Sequence, residues 1–353
     1  MDIDWTASMT QTYDFYTVDP STWQDDKKLD CITSATINRD SSNETLGYAS
    51  MGCTEDIGEC YVRTYMIVLQ NGLTYRIPLG THLVQTPSDS FNGMHHELSM
   101  DAYSPLLELK NVPPPIGYTI FKNENIMEKA TELFRERSRA PVVPAKSTEK
   151  LLSDFVANLD DNWLTFLKDL ISNAKFELDL DELGRILFQP RQDIASLQPV
   201  WSYTDDNSSI LYPDISDERD LYGVPNVAEV VYSTSAGSKY ARVVNDDPNS
   251  PISTVNRGRE VVYRDTNPSL SGDPTQEQID EYATQLLRNL SCLEHTITYK
   301  HGYCPVRVGD CVTLNYKKAD LINVKAKVTS QSIKCETGCP VEETAIYTTN
   351  LWR

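Results

Sequence analysis

Several classes of protein are excluded by what this 353-residue chain lacks. No apolar run approaches the roughly 20 residues that cross a bilayer. The N-terminus, Met1-Asp2-Ile3-Asp4-Trp5, has neither the basic nor the apolar region of a signal peptide. We therefore expect the chain to be made and kept in a cytosol. Because thiols there are mostly reduced, its eight cysteines are expected to be free thiols or metal ligands more often than disulfides.

Positive charge is also scarce in the chain. Lys and Arg number 32 against 51 Asp and Glu, which gives a net charge of −19. Such a surface repels nucleic acid phosphates and anionic membranes, so the composition disfavours a DNA reader and a lipid-bound protein. The same repulsion suits a surface that DNA slides past without adhering.

Sequence signatures of catalysis are missing. The chain has no Gly-x-Ser-x-Gly elbow, no phosphate-binding glycine-rich loop, no dinucleotide fingerprint and no His-Glu-x-x-His helix. His95 and His96 are adjacent, and adjacent strand residues point to opposite faces, so the pair is predicted at a surface or interface rather than on one metal. The acidic stretch Ser202–Tyr222 lacks an Asp-x-Asp-x-Asp-Gly loop for calcium and is predicted to be a solvated loop. We expect no enzyme activity.

What the sequence does contain is β structure near both ends. Gln70-Asn71-Gly72 predicts a hairpin turn, because Asn-Gly readily takes the positive φ angles of a two-residue loop. Further β-branched and aromatic runs, bounded by turn residues, predict short strands of a barrel or sandwich. The strand candidates are Cys31–Arg39, Glu59–Leu69, Leu73–Leu79, Arg185–Gln189, Val227–Tyr232, Lys239–Val244, Thr296–Tyr299, Pro305–Tyr316, Val324–Cys335 and Val341–Thr348.

Helical periodicity is concentrated between these β regions. Apolar residues at helical spacing predict helices at Asn125–Arg139, Thr148–Leu159 and Asp161–Ala174, the last with Asp160-Asp161 as its N-cap pair. Thr275–Leu290 is a further amphipathic helix with Thr275 and Gln278 as a capping box, and it is expected to pack on the C-terminal strands. The three prolines of Val112–Gly117 predict a stiff spacer and a domain boundary.

Four cysteines lie at predicted strand ends of the C-terminal region: Cys304, Cys311, Cys335 and Cys339. Four converging thiolates would suit Zn²⁺ or a [4Fe–4S] cluster. Their spacing is not the Cys-x-x-Cys of zinc ribbons, and free thiols or disulfides are the alternatives. The other four cysteines are predicted to be small buried hydrophobic residues: Cys31, Cys53, Cys60 and Cys292.

A family resemblance follows from four segments. Asp14–Pro20, Ala102–Leu109, the Pro274-Thr275 helix start and Pro305–Val312 resemble, in this order, the tail hub proteins of long-tailed bacteriophages. That family is similar to the baseplate hub of contractile tails. The resemblance implies an α+β, mainly β fold with two tube-type β-barrel domains, a small helical insertion and one amphipathic helix packed on the C-terminal barrel. The implied domains are an N-terminal barrel at 1–112, a Pro-rich linker and helical peripheral domain at 113–190, and a C-terminal barrel at 191–353.

The same resemblance implies a structural role in the virion. Three copies would form a ring of pseudo-sixfold symmetry that closes the tail tube at the phage tail tip. The ring would dock the distal tail protein, the tape measure protein and a tip or fibre protein, and would pass DNA without specific binding. Assembly would take place in the host cytoplasm, without stable membrane association. Some hubs hold an iron–sulfur cluster in their C-terminal part, which would match Cys304, Cys311, Cys335 and Cys339.

Two other functions are compatible with the residues. One is an iron–sulfur or zinc enzyme, favoured only by the C-terminal cysteines. The other is a soluble β-rich module that binds carbohydrate or protein, for which 19 tyrosines and five tryptophans provide contacts. The mass of the particle in solution distinguishes a binding module from a hub, because a binding module can be monomeric whereas a hub should form trimers.

Overall fold

The fold is α+β and mainly β, as predicted. The computed structural model describes residues 3–91, 93, 96–192, 194–206, 209–234, 237–270 and 274–352. Of the predicted surface pair His95-His96, His95 lies outside the described residues and the His96 side chain is not described, so that reading stays a prediction. No helix in the described part of the chain is long and apolar enough to cross a membrane.

The N-terminal region is a series of antiparallel strands. Gln70 pairs with Leu73 across Asn71 and Gly72, whose φ angles of 53° and 79° are those of the predicted two-residue turn. Farther along the same ladder Leu79 forms a bulge, because Gly80 pairs with Thr64 while Pro78 pairs with Tyr65. The strands are β1 (Thr10–Val18), β2 (Asp25–Leu29), β3 (Ile32–Asp40), β4 (Gly47–Cys53), β5 (Cys60–Gln70), β6 (Leu73–Phe91) and β7 (His96–Tyr103).

The middle of the chain contains the predicted helices, with one exception. Its elements are α1 (Leu107–Lys110), β8 (Thr119–Ile120), α2 (Ile126–Arg137), β9 (Phe155–Val156), α3 (Trp163–Ser172), β10 (Phe176–Leu180) and β11 (Ile186–Pro190). The side chains of Asn125 and Asn162 cap α2 and α3. Asp161, predicted as part of a cap, instead accepts a hydrogen bond from the Asn158 amide.

The helix predicted over Thr148–Leu159 is wrong. This segment is extended and pairs with residues 118–126: the Leu151 amide donates to Glu124 O, and the Ala157 amide donates to Tyr118 O. Pairing with a neighbouring segment satisfies the backbone that a helix would have satisfied internally. The predicted apolar face therefore does not form, and Leu151 is buried while Leu152 is 91% exposed.

Two further predictions in the C-terminal half are corrected. Ser202–Tyr222 is not one solvated loop, since it contains parts of two strands, and the strand predicted at Pro305–Tyr316 begins only at Cys311. The elements are β12 (Pro199–Thr204), β13 (Leu211–Arg219), β14 (Val227–Thr234), β15 (Gly237–Val244), α4 (Thr254–Arg257), β16 (Val262–Asp265), α5 (Gln276–Leu290), β17 (Cys292–Gly302), β18 (Cys311–Tyr316), a 3₁₀ turn (Lys317–Ala319), β19 (Leu321–Lys334) and β20 (Pro340–Asn350).

A 13-stranded sheet joins the two ends of the chain. Its order is β13-β17-β20-β19-β3-β4-β7-β6-β5-β1-β2, and β18 lies off this path between β12 and β19. The junction is the antiparallel pairing of β19 with β3, in which Ile333 lies opposite Ile37. Within the described residues the pairing follows this open path, and the two predicted barrels stay a prediction.

The chain divides into two compact units, and the predicted domains 1–112, 113–190 and 191–353 stay a prediction. The larger unit is Met1–Ile215 with Tyr299–Ala345, and the smaller is Ser216–Thr298 with Ile346–Arg353. The larger unit has a shared core, in which Tyr61 and Leu83 of the N-terminal strands pack in one cluster with Trp163 and Phe188.

In the smaller unit, α5 covers a three-stranded sheet ordered β15-β14-β16. The predicted capping box is confirmed: Thr275 and Gln278 exchange hydrogen bonds between side chain and backbone. The expected packing of α5 on the C-terminal strands is wrong. Its buried face meets β14 and β15, where Ile279 and Ala283 form a cluster with Val230 and Ala241.

Candidate functional site

The four cysteines predicted as metal ligands have different surroundings. Cys335 and Cys339 bracket the turn between β19 and β20, where Tyr13 Oη donates to Glu336 O at 2.8 Å. Cys304 Sγ lies 3.2 Å from Tyr203 Oη, and Cys311 is buried at the start of β18. Burial raises the pKa of the Cys335 thiol and raises that of Cys339 to about 11, so both are protonated at neutral pH.

The structure does not bring the four cysteines together as one group of ligands. Across the described ranges, no three His, Cys, Asp or Glu side chains are grouped as metal ligands would be. All eight cysteines are free thiols. Cys31 and Cys53 are buried as predicted, whereas Cys60 and Cys292 are only partly buried. The cluster or zinc site on Cys304, Cys311, Cys335 and Cys339 therefore stays a prediction.

A buried polar centre surrounds Glu343, which is 0% exposed on β20. Its Oε1 accepts from Gln331 Nε2 at 2.6 Å and lies 3.3 Å from His301 Nε2. Its Oε2 accepts from Tyr299 Oη at 2.7 Å and from Tyr203 Oη at 3.2 Å. These partners come from β12, β17 and β19, so one carboxylate ties four strands together.

The centre holds a charged pair. Burial disfavours the imidazolium of His301, but hydrogen bonds with Cys304 and Glu343 outweigh it and raise the pKa of His301 to about 10. Burial likewise opposes ionisation of Glu343, yet His301 holds the pKa of this carboxyl below its usual range. His301 Nδ1 donates to Gly302 O at 2.6 Å. Because each oxygen of Glu343 has two close donors, the arrangement stabilises structure and leaves no acceptor free for a substrate.

A second polar cluster anchors the β10–β11 hairpin to the large sheet. Leu183 O, in the hairpin turn, accepts from Trp23 Nε1 at 2.7 Å and from Arg63 Nη2 at 3.2 Å. Arg307 Nε lies 2.9 Å from Glu182 Oε1 in the same turn. At Gly184, where φ is +74°, a Cβ would come within 2.9 Å of Thr81 Cβ, so only glycine fits this close approach.

Arg39 connects the two clusters. Its Nη1 donates to Gln331 Oε1 at 3.3 Å, and its Nη2 donates at 2.6 Å to the carbonyl of bulged Leu79. The same guanidinium lies 3.3 Å from Glu182 Oε1. Residues from β3, β6, β19 and the hairpin are thereby joined through one side chain.

An exposed apolar surface lies on the paired segments around β8 and β9. Ile116 and Leu152 are each 91% exposed and Leu159 is 82% exposed. Contiguous exposed apolar patches mark sites of interaction, which makes these side chains candidates for one. We define the apolar surface as Val112, Ile116, Phe121, Leu152, Val156 and Leu159.

The sequence analysis missed the Glu343 centre, although a signal was present. On β20 the residues Val341, Glu343 and Ala345 have the same parity, so the alternation that predicts the buried face also buries Glu343. When a charged residue occupies a strand position that faces the core, a hydrogen-bonding or oppositely charged partner is expected inside the core. The identity of that partner, His301, cannot be read from one strand alone.

Comparison with known proteins shows structural likeness without detectable sequence likeness. No family model and no curated protein matches the sequence. The structure is similar to the tail protein from Neisseria meningitidis MC58, with a TM-score of 0.62 at 11% identity over 97% of this chain and 98% of that chain. It is similar to the prophage MuSo2 43 kDa tail protein from Shewanella oneidensis, with a TM-score of 0.61 at 12% identity over 95% and 98% of the two chains.

A chain of the Francisella PdpA–VgrG complex also aligns, with a TM-score of 0.53 at 8% identity. That alignment covers 98% of this chain and 53% of the other. At these identities the likeness concerns the fold. The chain has the fold of these phage tail proteins.

Proposed function

We propose that this protein is a structural component of a phage tail, located in the virion tail, and not an enzyme. The observation that carries the proposal is the extent of the fold match. Nearly all of this chain aligns with nearly all of two phage tail proteins, so the likeness is not confined to one widespread module. The fully satisfied Glu343 centre supports the same reading, because it joins strands and has no acceptor left for chemistry.

Within the tail, the protein acts as the hub at the distal end of the tube. Three copies form a ring that adapts sixfold to threefold symmetry. The ring binds the distal tail protein, the tape measure protein and a tip or fibre protein. The net charge of −19 supports passage of DNA through such a ring, because like charges prevent adhesion. The apolar surface supports assembly, since its side chains are exposed in the single chain.

Light scattering coupled to size-exclusion chromatography tests the ring directly. We expect a species of three times the 39.9 kDa chain mass, seen by negative-stain microscopy as a ring with threefold symmetry. Samples at about 1 to 100 µM would reveal a trimer whose dissociation constants are micromolar or tighter. A monomer throughout this range would contradict self-assembly of the ring and would require partner proteins to form it.

A further inference from the structure

A cleft of about 300 Å³ lies in the larger unit beside the hairpin turn. β3, the bulged part of β6, the β10–β11 hairpin and the segment before β18 form its walls. The residues that matter for its chemistry are Arg39, His82, Asp179, Glu182, Arg307 and Asp310. Its volume is at the lower end of the range for small-ligand sites, enough for one long side chain with its backbone.

A buried nitrogen in the cleft wall has no hydrogen-bond partner. His82 is only 6% exposed, and its Nδ1 has none among the described residues. Burial, helped by Arg39, lowers the pKa of His82 to about 3, so its ring is neutral at physiological pH. The ring lies against Gly80, where a Cβ would come within 2.5 Å of His82 Cε1. Glycine at this position thus makes room for the ring, although an unpaired buried group is costly to stability.

The charges of the cleft wall are not balanced. Six carboxylates line it against three cationic side chains. Two of the six, Asp181 and Glu177, pair with Arg185 and Arg191 outside the lining, which leaves four carboxylates facing the three cations. Arg39 and Arg307 both contact Glu182, at 3.3 and 2.9 Å. Asp310 accepts a hydrogen bond from the backbone amide of Arg307 at 2.8 Å, and Asp179 lies 3.4 Å from Arg307 Nη2. Burial raises the pKa of both Asp179 and Asp310, and the charge of Arg307 offsets this only in part.

We propose that this cleft binds an extended peptide segment of a partner protein, which places a lysine or arginine side chain beside Asp310 and Asp179. The backbone of that segment pairs with His82 Nδ1. Charge complementarity selects the occupant, because the wall has a surplus of carboxylates and the whole chain carries a net charge of −19. A neutral histidine nitrogen accepts or donates one hydrogen bond, and a peptide backbone supplies either group. The inference does not depend on the tail assignment, because it rests on this wall alone.

The test uses the full chain and the peptide acetyl-Gly-Lys-Gly-Lys-Gly-amide, with the same peptide carrying acetylated lysines as its uncharged match. Imidazole ¹⁵N NMR follows the His82 ring, whose signal is assigned by its loss in His82→Gln. We expect the lysine peptide, and not its acetylated match, to shift this signal. Asp310→Asn should weaken binding about tenfold, because one charge-assisted hydrogen bond is lost. Asp246→Asn, at an exposed site in the smaller unit, should leave binding unchanged.

Three results would overturn the proposal. The first is an unmoved His82 signal at saturating peptide, and the second is equal binding by Asp310→Asn and Asp246→Asn. The third is binding of spermidine as tight as that of the peptide, which would make the cleft a site for small polycations. Thermal unfolding checks that each variant folds, and Asp179→Asn replaces Asp310→Asn if the latter does not.

Discussion

At the scale of single residues, the pairing of His301 with Glu343 makes stability depend on pH. The pKa of His301 is about 10 in the folded chain, against about 6.5 for an unfolded histidine. The stabilisation from its protonated form is therefore fully present below about pH 6.5 and is lost as the pH rises through about 10. For Glu343, whose pKa is lowered, the stabilisation is present above its unfolded pKa and is lost as the pH falls through the folded value.

We predict that the free energy of unfolding falls between pH 7 and 10 more steeply in the wild type than in His301→Gln. The difference in slope should reach at most about 1.4 kcal/mol per pH unit, the value for one proton. Urea titrations at several pH values measure it.

His82→Gln is the matched control for this experiment. His82 is also a buried histidine, but its pKa of about 3 means that it does not titrate between pH 7 and 10. We expect the free energy of unfolding to fall with pH equally steeply in the wild type and in His82→Gln. It should fall less steeply in His301→Gln. If His301→Gln shows the same pH dependence of the unfolding free energy as the wild type, other groups cause that dependence.

The cysteine hypothesis also belongs to the residue scale. A [4Fe–4S] centre on Cys304, Cys311, Cys335 and Cys339 predicts iron and sulfide at about four each per chain after anaerobic purification. Cys335→Ser should then lower the iron content, whereas Cys31→Ser, between β2 and β3, should not. Eight titratable thiols in iron-free and zinc-free protein would contradict both the cluster and the zinc site.

At the scale of elements, the β10–β11 hairpin joins the helical segment to the large sheet through one tight turn. Gly184 and Gly117 have nearly the same φ angles, +74° and +76°, but only Gly184 faces close neighbours, Thr81 and Trp23. We predict that Gly117→Ala costs about 1 kcal/mol through backbone strain alone. Gly184→Ala should cost about 1–3 kcal/mol more, because the new methyl group overpacks the turn.

Chemical denaturation of the two glycine variants measures this difference. Equal losses would mean that the turn moves away from Thr81 without cost, and the hairpin would then not be firmly anchored. A larger loss in Gly184→Ala would show that the turn is packed tightly against the sheet, as the hydrogen bonds to Leu183 O indicate.

At the scale of the whole molecule, the apolar surface is predicted to be buried on assembly. The double substitution Ile116→Ser with Leu152→Ser should leave the melting temperature within about 2 °C, because both side chains are 91% exposed and make little core contact. It should shift the particle mass in light scattering from trimer toward monomer.

Leu69→Ser with Leu73→Ser is the comparison, since these leucines are 47% and 48% exposed at the β5–β6 hairpin. This control should keep the trimer mass. If the control loses the trimer and the Ile116 and Leu152 variant keeps it, the contact surface lies at the hairpin end of the sheet instead.

The sequence by itself determined the elements whose signals are local. The Asn71-Gly72 turn, the capping box at Thr275 and the stripe of α3 depend on neighbouring residues only, and the structure confirms all three. The family resemblance likewise predicted a mainly β fold shared with phage tail proteins, which the comparisons support.

Only the tertiary structure decided what depends on residues distant along the chain. Thr148–Leu159 has a helical pattern, yet its backbone pairs with residues 118–126. α5 was expected on the C-terminal strands but packs on β14 and β15. Glu343 on β20 pairs with His301 on the neighbouring strand β17, which is distant along the chain. In each case the pattern of the sequence specifies which side chains are buried, whereas the chain topology specifies which residues they contact. Periodicity therefore predicts faces, and only the fold assigns their partners.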